Sequence, residues 1–122
     1  MRFGRAPVRA ARRDANEAEI VALLVAWGAA VQQLDPPLPD LLVSYRGILY
    51  LLEVKDHDAG KATRSAKRRN HDEAMPPSLT PQQVVWWRAW RATGGKDPVL
   101  VMTAREALLA IGAELAETAA PR

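Results

Sequence analysis

Pro39-Asp40-Leu41-Leu42-Val43-Ser44-Tyr45-Arg46-Gly47-Ile48-Leu49-Tyr50-Leu51-Leu52-Glu53-Val54-Lys55 decides how this chain is read. Two apolar runs flank Arg46-Gly47, a turn signal, so the stretch is expected to fold as an antiparallel hairpin. Folding about that turn sets Asp40 opposite Glu53 or Val54. Side chains alternate faces along a strand, which puts Glu53 and Lys55 on one face. Asp40, Glu53 and Lys55 therefore converge at the open end of an otherwise apolar ribbon. Charges in such surroundings are costly unless a partner or a ligand compensates them.

Before the hairpin, Asp35-Pro36-Pro37-Leu38-Pro39 admits neither helix nor central strand, and Val31 to Leu34 reads as a short strand. A helix is expected from about Ala15 to Gly28, capped by Asp14, with acidic residues in its first turn and glycine as its stop. Residues 1–13 read as a flexible basic arm. After the hairpin, residues 56–78 are polar, basic and broken by proline, and read as one long loop. Thr80 and Pro81 open a helix to about Ala92, ahead of Gly94-Gly95. Val99-Leu100-Val101-Met102 reads as a short buried strand. Thr103 and Glu106 form the capping box of a last helix through Ile111, and a tail follows from residue 113. The order αβββαβα, without internal repeats, predicts an α/β domain over residues 14–112 with a mixed sheet flanked by helices.

The chain has 122 residues, 48% hydrophobic and 25% charged, which suits one domain with a single core. A net charge of +3 favours anionic partners only weakly, but its distribution is uneven. Arg2, Arg5, Arg9, Arg12 and Arg13 form one acid-free run, and Lys61, Arg64, Lys67, Arg68 and Arg69 form another. Paired basic segments suit a polyphosphate, although a single one is more often a solvated face. The absence of cysteine excludes disulfides, thiolate zinc sites and cysteine nucleophiles. His57 and His71 are the only histidines, so a histidine-rich metal site is not expected. The apolar run Ile20 to Val31 is too short to span a bilayer, and Asp14, Glu17 and Glu19 precede it, so a cytoplasmic protein is expected.

The acid, acid and lysine set suits phosphodiester hydrolysis. That chemistry calls for a hard divalent cation, Mg²⁺ or Mn²⁺ in its place, on oxygen ligands. Asp40 and Glu53 supply two carboxylates, and the carbonyl of Val54 a third oxygen. The metal lowers the pKa of a water and offsets phosphate charge, while Lys55 orients the nucleophile and stabilises the transition state. The bland alternative is a surface Glu53–Lys55 pair where a strand leaves the core.

Pro39-Asp40, Glu53-Val54-Lys55, the αβββαβα order and an acid on the first helix resemble the PD-(D/E)xK nuclease superfamily. Within it, Asp14-Ala15-Asn16-Glu17, Tyr50-Leu51-Leu52-Glu53-Val54-Lys55-Asp56 and Leu79-Thr80-Pro81-Gln82-Gln83 look like the small phage-type nucleases. These are related to Holliday junction resolvases and the virus-type replication-repair (VRR-NUC) nucleases. The resemblance covers roughly residues 13–111. It implies a restriction-endonuclease-like core and a magnesium-dependent endonuclease of branched or flapped DNA, in a bacterial or phage-infected cell. It also implies a homodimer, because paired cuts across a junction need two sites.

The resemblance places a catalytic acid on the first helix, where Glu17 and Glu19 compete. Glu17 lies nearer the Ile20, Leu23, Leu24 and Trp27 face and is preferred. Gln83, which the resemblance carries toward the metal and phosphate, can equally be a cap or a surface residue. Trp86, Trp87 and Trp90 are expected in the core and a dimer interface rather than as stacking platforms. Arg12, Arg13, Lys61, Arg64, Lys67, Arg68 and Arg69 are the expected DNA contacts, and Asp56 and His57 have no assigned role. The competing reading is a non-catalytic DNA-binding protein that keeps the nuclease fold. A third reading, a metal-free regulator using the first helix, leaves the acid–acid–lysine set unexplained.

Overall fold

The computed structural model describes residues 8–55, 70, 71 and 73–113, with side chains of the first helix from Asn16 onward. In chain order the elements are α1 (Val8–Ala26), β1 (Ala30–Gln33), β2 (Leu41–Tyr45), β3 (Ile48–Val54), α2 (Pro81–Ala92), β4 (Val99–Val101) and α3 (Ala104–Ala110). Among the described residues this is the expected αβββαβα order in an α/β fold. The sheet runs β1-β2-β3-β4, antiparallel across the first three strands and parallel between β3 and β4. Parallel pairing follows from the long helix-bearing connection between those two strands.

The hairpin forms in the expected register, from Tyr45 opposite Ile48 to Leu41 opposite Leu52. Arg46 and Gly47 both take positive φ, 52° and 82°, the pair of left-handed residues whose twist matches the flanking strands. Gly28, at φ 98°, terminates the first helix. Leu41, Val43 and Leu52 turn one sheet face into the core with Ile20 and Leu24 of α1 and Ala107 and Leu108 of α3. Helix α2 builds a second apolar cluster with the loop before it: Met75, Leu79, Val84 and Trp87. Helices therefore flank both faces, and the end of β3 lies between them.

Several boundaries differ from the sequence reading. Helix α1 starts at Val8, so residues 8–13 are helical rather than part of an arm, and Asp14 lies inside the helix rather than at its cap. Alanine and arginine are strong helix formers, and the basic charge masked that preference. Residues 1–7 and the tail from 114 lie outside the described residues. Strand β4 is not fully buried: Val101 is core, but Val99, Leu100 and Met102 are exposed, because β4 is the last strand of the described sheet. Thr103 accepts from the Glu106 amide as expected. Glu106 instead reaches past it to the Met102 amide. Of the expected loop, residues 56–69 and 72 lie outside the described residues, whereas Asn70 and His71 have helical backbone.

Asn70 is wholly buried and organises the approach to α2. Its side-chain amide donates to the carbonyls of Pro76, Pro77 and Leu79, each at 3.0 Å. Its backbone carbonyl accepts from Met75 at 2.8 Å. Asn70→Ala removes the one amide that donates to these three backbone carbonyls, and Asn70→Asp replaces the donor with an acceptor. Each is expected to lower unfolding free energy by about 2 kcal/mol in urea titrations. A loss below about 0.5 kcal/mol would show these bonds to be dispensable.

Candidate active site at the open end of the hairpin

Leu41 pairs with Leu52, so one further step of the register brings Asp40 opposite Glu53. The ladder ends there in a side-chain bond: the Val54 amide donates to Asp40 Oδ2 at 2.7 Å. Asp40 is thus aimed along the strand pair by the backbone of the residue after Glu53. On the other side of β3, the Lys55 amide donates to the Val101 carbonyl at 2.9 Å. The Lys55 carbonyl accepts from Asn16 Nδ2 at 3.1 Å. Both backbone groups of Lys55 are held, one by β4 and one by α1.

Glu53 is 3% exposed. Its Oε2 accepts from Lys55 Nζ at 3.2 Å and Gln83 Nε2 at 3.0 Å. Its Oε1 is buried without a hydrogen-bond partner among the described residues. Burial pushes the Glu53 carboxyl above its ordinary value; the Asp40 charge adds to the rise, and Lys55 and Gln83 oppose it. Two carboxylates and one ammonium share this end of the hairpin, with one carboxylate oxygen still to be satisfied.

Gln83 performs both roles that the sequence left open. Its Oε1 accepts from the Thr80 amide and its own amide donates to Thr80 Oγ1, closing a capping box. Its Nε2 remains to donate to Glu53. A glutamine suits this position because its amide both accepts and donates.

Glu17 is 1% exposed, whereas Glu19 is exposed, in agreement with the helical-face argument. Glu17 Oε2 accepts from Gln33 Nε2 at 2.7 Å. Gln33 pairs with Leu41, so Glu17 joins the same end of the sheet from the α1 side. Asp40, Glu53, Lys55 and Gln83 meet on the α2 side by strand alternation. Sequence reasoning missed Gln33 and the positioning role of Asn16. The available signal was the expected burial of Glu17, which required a donor somewhere on the neighbouring strand.

The tryptophans divide. Trp87 is core at 1% exposure, while the half-buried Trp86 and Trp90 stack on each other, centroids 5.0 Å apart. Lys55 also lines an open cavity of about 550 Å³ with Ser78, Leu100, Met102 and Glu106. Arg12 and Arg13 lie on α1, but their side chains are outside the described residues, as are Lys61, Arg64, Lys67, Arg68 and Arg69.

Among the described residues no three histidine, cysteine or carboxylate side chains gather into a metal cage. Two carboxylates do gather, one with a buried oxygen lacking a partner, and oxygen donors of this kind fit a hard divalent cation completed by water. Compared with known proteins, the chain matches no family model, no curated protein and no solved structure.

The raised Glu53 carboxyl has a stability consequence. Folded protein holds that proton to higher pH than the unfolded chain does. Its contribution is therefore present below the ordinary value near 4.5 and is lost as pH rises through the raised one. In metal-free protein, Glu53→Gln is expected to gain stability relative to wild type as pH rises through this window, in matched thermal melts. A difference independent of pH would refute the burial effect.

Gln83→Glu tests the contact between helix and strand. A glutamate at this position of a capping box is ordinarily favourable, for both the cap and the helix dipole. Here it faces Glu53, so the variant is expected to be less stable than wild type at pH 7. The deficit should shrink as the carboxyls are protonated. Equal or greater stability at pH 7 would mean that Gln83 acts only as a cap.

Proposed function

We propose that the protein is a divalent-metal-dependent DNA endonuclease of the PD-(D/E)xK type, with Asp40, Glu53 and the Val54 carbonyl as the metal-holding oxygens. The observation that carries this reading is the buried Glu53 oxygen without a hydrogen-bond partner among the described residues, beside Asp40 and within an ion pair of Lys55. A cation at the carboxylates compensates the desolvated charge, and a structural ion pair alone leaves that oxygen unsatisfied.

Asp40, Glu53 and the Val54 carbonyl would hold Mg²⁺ or Mn²⁺, which would supply positive charge against the scissile phosphate and lower the pKa of a water. The chain's own groups do the rest. Asp40, held by the Val54 amide, is oriented before any ligand arrives, which lowers the cost of organising the site. Lys55, whose backbone is held on both sides just after β3, is assigned to stabilise the charge that develops on the phosphoryl group. Gln83 holds Glu53 Oε2, so Oε1 would be the oxygen offered to a cation. Glu17, held by Gln33 on the α1 side, stands apart from the Asp40–Glu53 pair and is assigned a supporting negative charge at this end of the sheet. Arg12, Arg13 and the basic residues from Lys61 to Arg69 are assigned to the DNA backbone, which favours recognition of branched or flapped shape over sequence. A homodimer would present two such sites to a junction.

Metal titration with a labelled four-way junction and a flapped duplex tests this reading. Wild type is expected to cut in Mg²⁺ or Mn²⁺. Asp40→Asn and Glu53→Gln should each abolish cleavage with DNA affinity kept or raised, since each removes charge that repels phosphate. Lys55→Ala should slow the chemical step by roughly 10² or more with metal affinity retained. Metal-independent DNA binding without cleavage would instead favour the non-catalytic DNA-binding protein. Substantial Mg²⁺-dependent cutting by both carboxylate variants would reject the site.

A further inference from the structure

Beyond the catalytic end, the sheet face that carries Glu53 continues into a slot of about 370 Å³ beneath α2. Its floor includes Leu42, Leu49 and Leu51, its wall Trp86 and Trp90, and its rim Lys96. The alignment follows from two periodicities. Leu51 and Leu49 occupy the same strand face as Glu53, about 7 and 13 Å further along β3. Trp86 and Trp90 lie one and two turns beyond Gln83, which itself bonds Glu53. Strand and helix therefore run together from the carboxylates into an aromatic-walled groove.

The wall is fixed in shape. The two indoles stack at an interplanar angle of 17°. Trp90 Nε1 donates to the Lys96 carbonyl at 2.7 Å. Gly95 lies against the Trp90 ring so closely that a Cβ there would clash with the indole. At the rim, Asp97 is taken by a two-pronged bond from Arg91, at 2.7 Å on each oxygen. Lys96 thus stands beside an acid that is already neutralised, so the mouth is suited to an anion while the interior is suited to a flat apolar group.

We propose that this slot takes an unpaired nucleobase of the DNA substrate, one or two nucleotides from the phosphate at Glu53 and Lys55, with Lys96 on the intervening backbone. This rests on the nuclease reading of the site and narrows its substrate to DNA with unstacked nucleotides beside the cut, such as flaps, overhangs or open junction centres. A flat base matches a rigid aromatic wall, and base–aromatic stacking is tolerant of sequence. A base paired within a duplex cannot enter such a slot without leaving the stack.

Binding without divalent metal separates the slot from the chemistry. Full-length protein is titrated with a duplex bearing a short dT overhang, with the same duplex carrying abasic sites in the overhang, and with a blunt duplex. Tryptophan fluorescence and anisotropy are read together. Wild type is expected to bind the dT overhang about tenfold or more tighter than the abasic one, with indole quenching only for the former. Leu49 is 68% exposed, so Leu49→Glu should fold normally, as an unchanged melting temperature would show, and should erase the discrimination. Trp86→Ala should erase both discrimination and quenching. Equal wild-type affinity for dT and abasic overhangs would overturn the slot, as would retained discrimination in folded Leu49→Glu. A wild-type dimer that Leu49→Glu splits in sedimentation would also overturn it, assigning the slot to a second copy. Mg²⁺-dependent cleavage of the blunt and overhanging duplexes, scored separately, reports on the nuclease reading whether or not the slot binds a base.

Discussion

Burial of the Glu53 carboxylate is the constraint on which the rest of the arrangement depends. At 3% exposure it has lost most of its water, and a desolvated carboxylate survives only with donors, opposite charge or a cation nearby. Lys55 and Gln83 both serve one oxygen. Asp40 works against them by raising the carboxyl's proton affinity. A fold selected only for stability gains nothing from setting two acids at the end of an apolar hairpin, where like charges opposite each other are unfavourable.

The surrounding elements can be understood by what they contribute to that end. Helix α1 delivers Asn16 to the Lys55 carbonyl and Glu17 to Gln33. Helix α2 begins with a capping box whose glutamine doubles as a donor to Glu53. Strand β4 anchors the Lys55 amide, and Asn70 fastens the loop that carries the chain into α2. Each tie uses a backbone or amide group to fix where the Asp40 and Lys55 side chains start from. Pre-orientation of this kind lowers the cost of assembling a site.

Much of this was legible before any coordinates because its causes are local. Hairpin register follows from the turn at Arg46-Gly47 and the two-residue alternation, which brought Asp40 and Glu53 together correctly. Thr80-Pro81 and Gly28 mark helix ends by chain chemistry alone. The errors have equally specific causes. The start of α1 was missed because arginines were read for charge rather than for helix propensity. The exposure of β4 was missed because an apolar run of three or four residues does not say how many neighbours cover it. Gln33 and Asn16 were invisible because their partners lie 16 and 39 residues away, and Asn70 because nothing in a polar, proline-broken stretch marks which side chain its nearby carbonyls will use.

The central claim is the proposal that the buried Glu53 carboxylate binds a divalent cation. Its most direct test is an NMR titration of the Glu53 side-chain carboxyl carbon, without divalent metal and in saturating Mg²⁺. Without metal the carboxyl should titrate above its ordinary value of 4.5, and Mg²⁺ should drive it below that value, because a bound cation favours the ionised form. An ordinary pKa without metal, or a raised one that Mg²⁺ does not move, would contradict the claim.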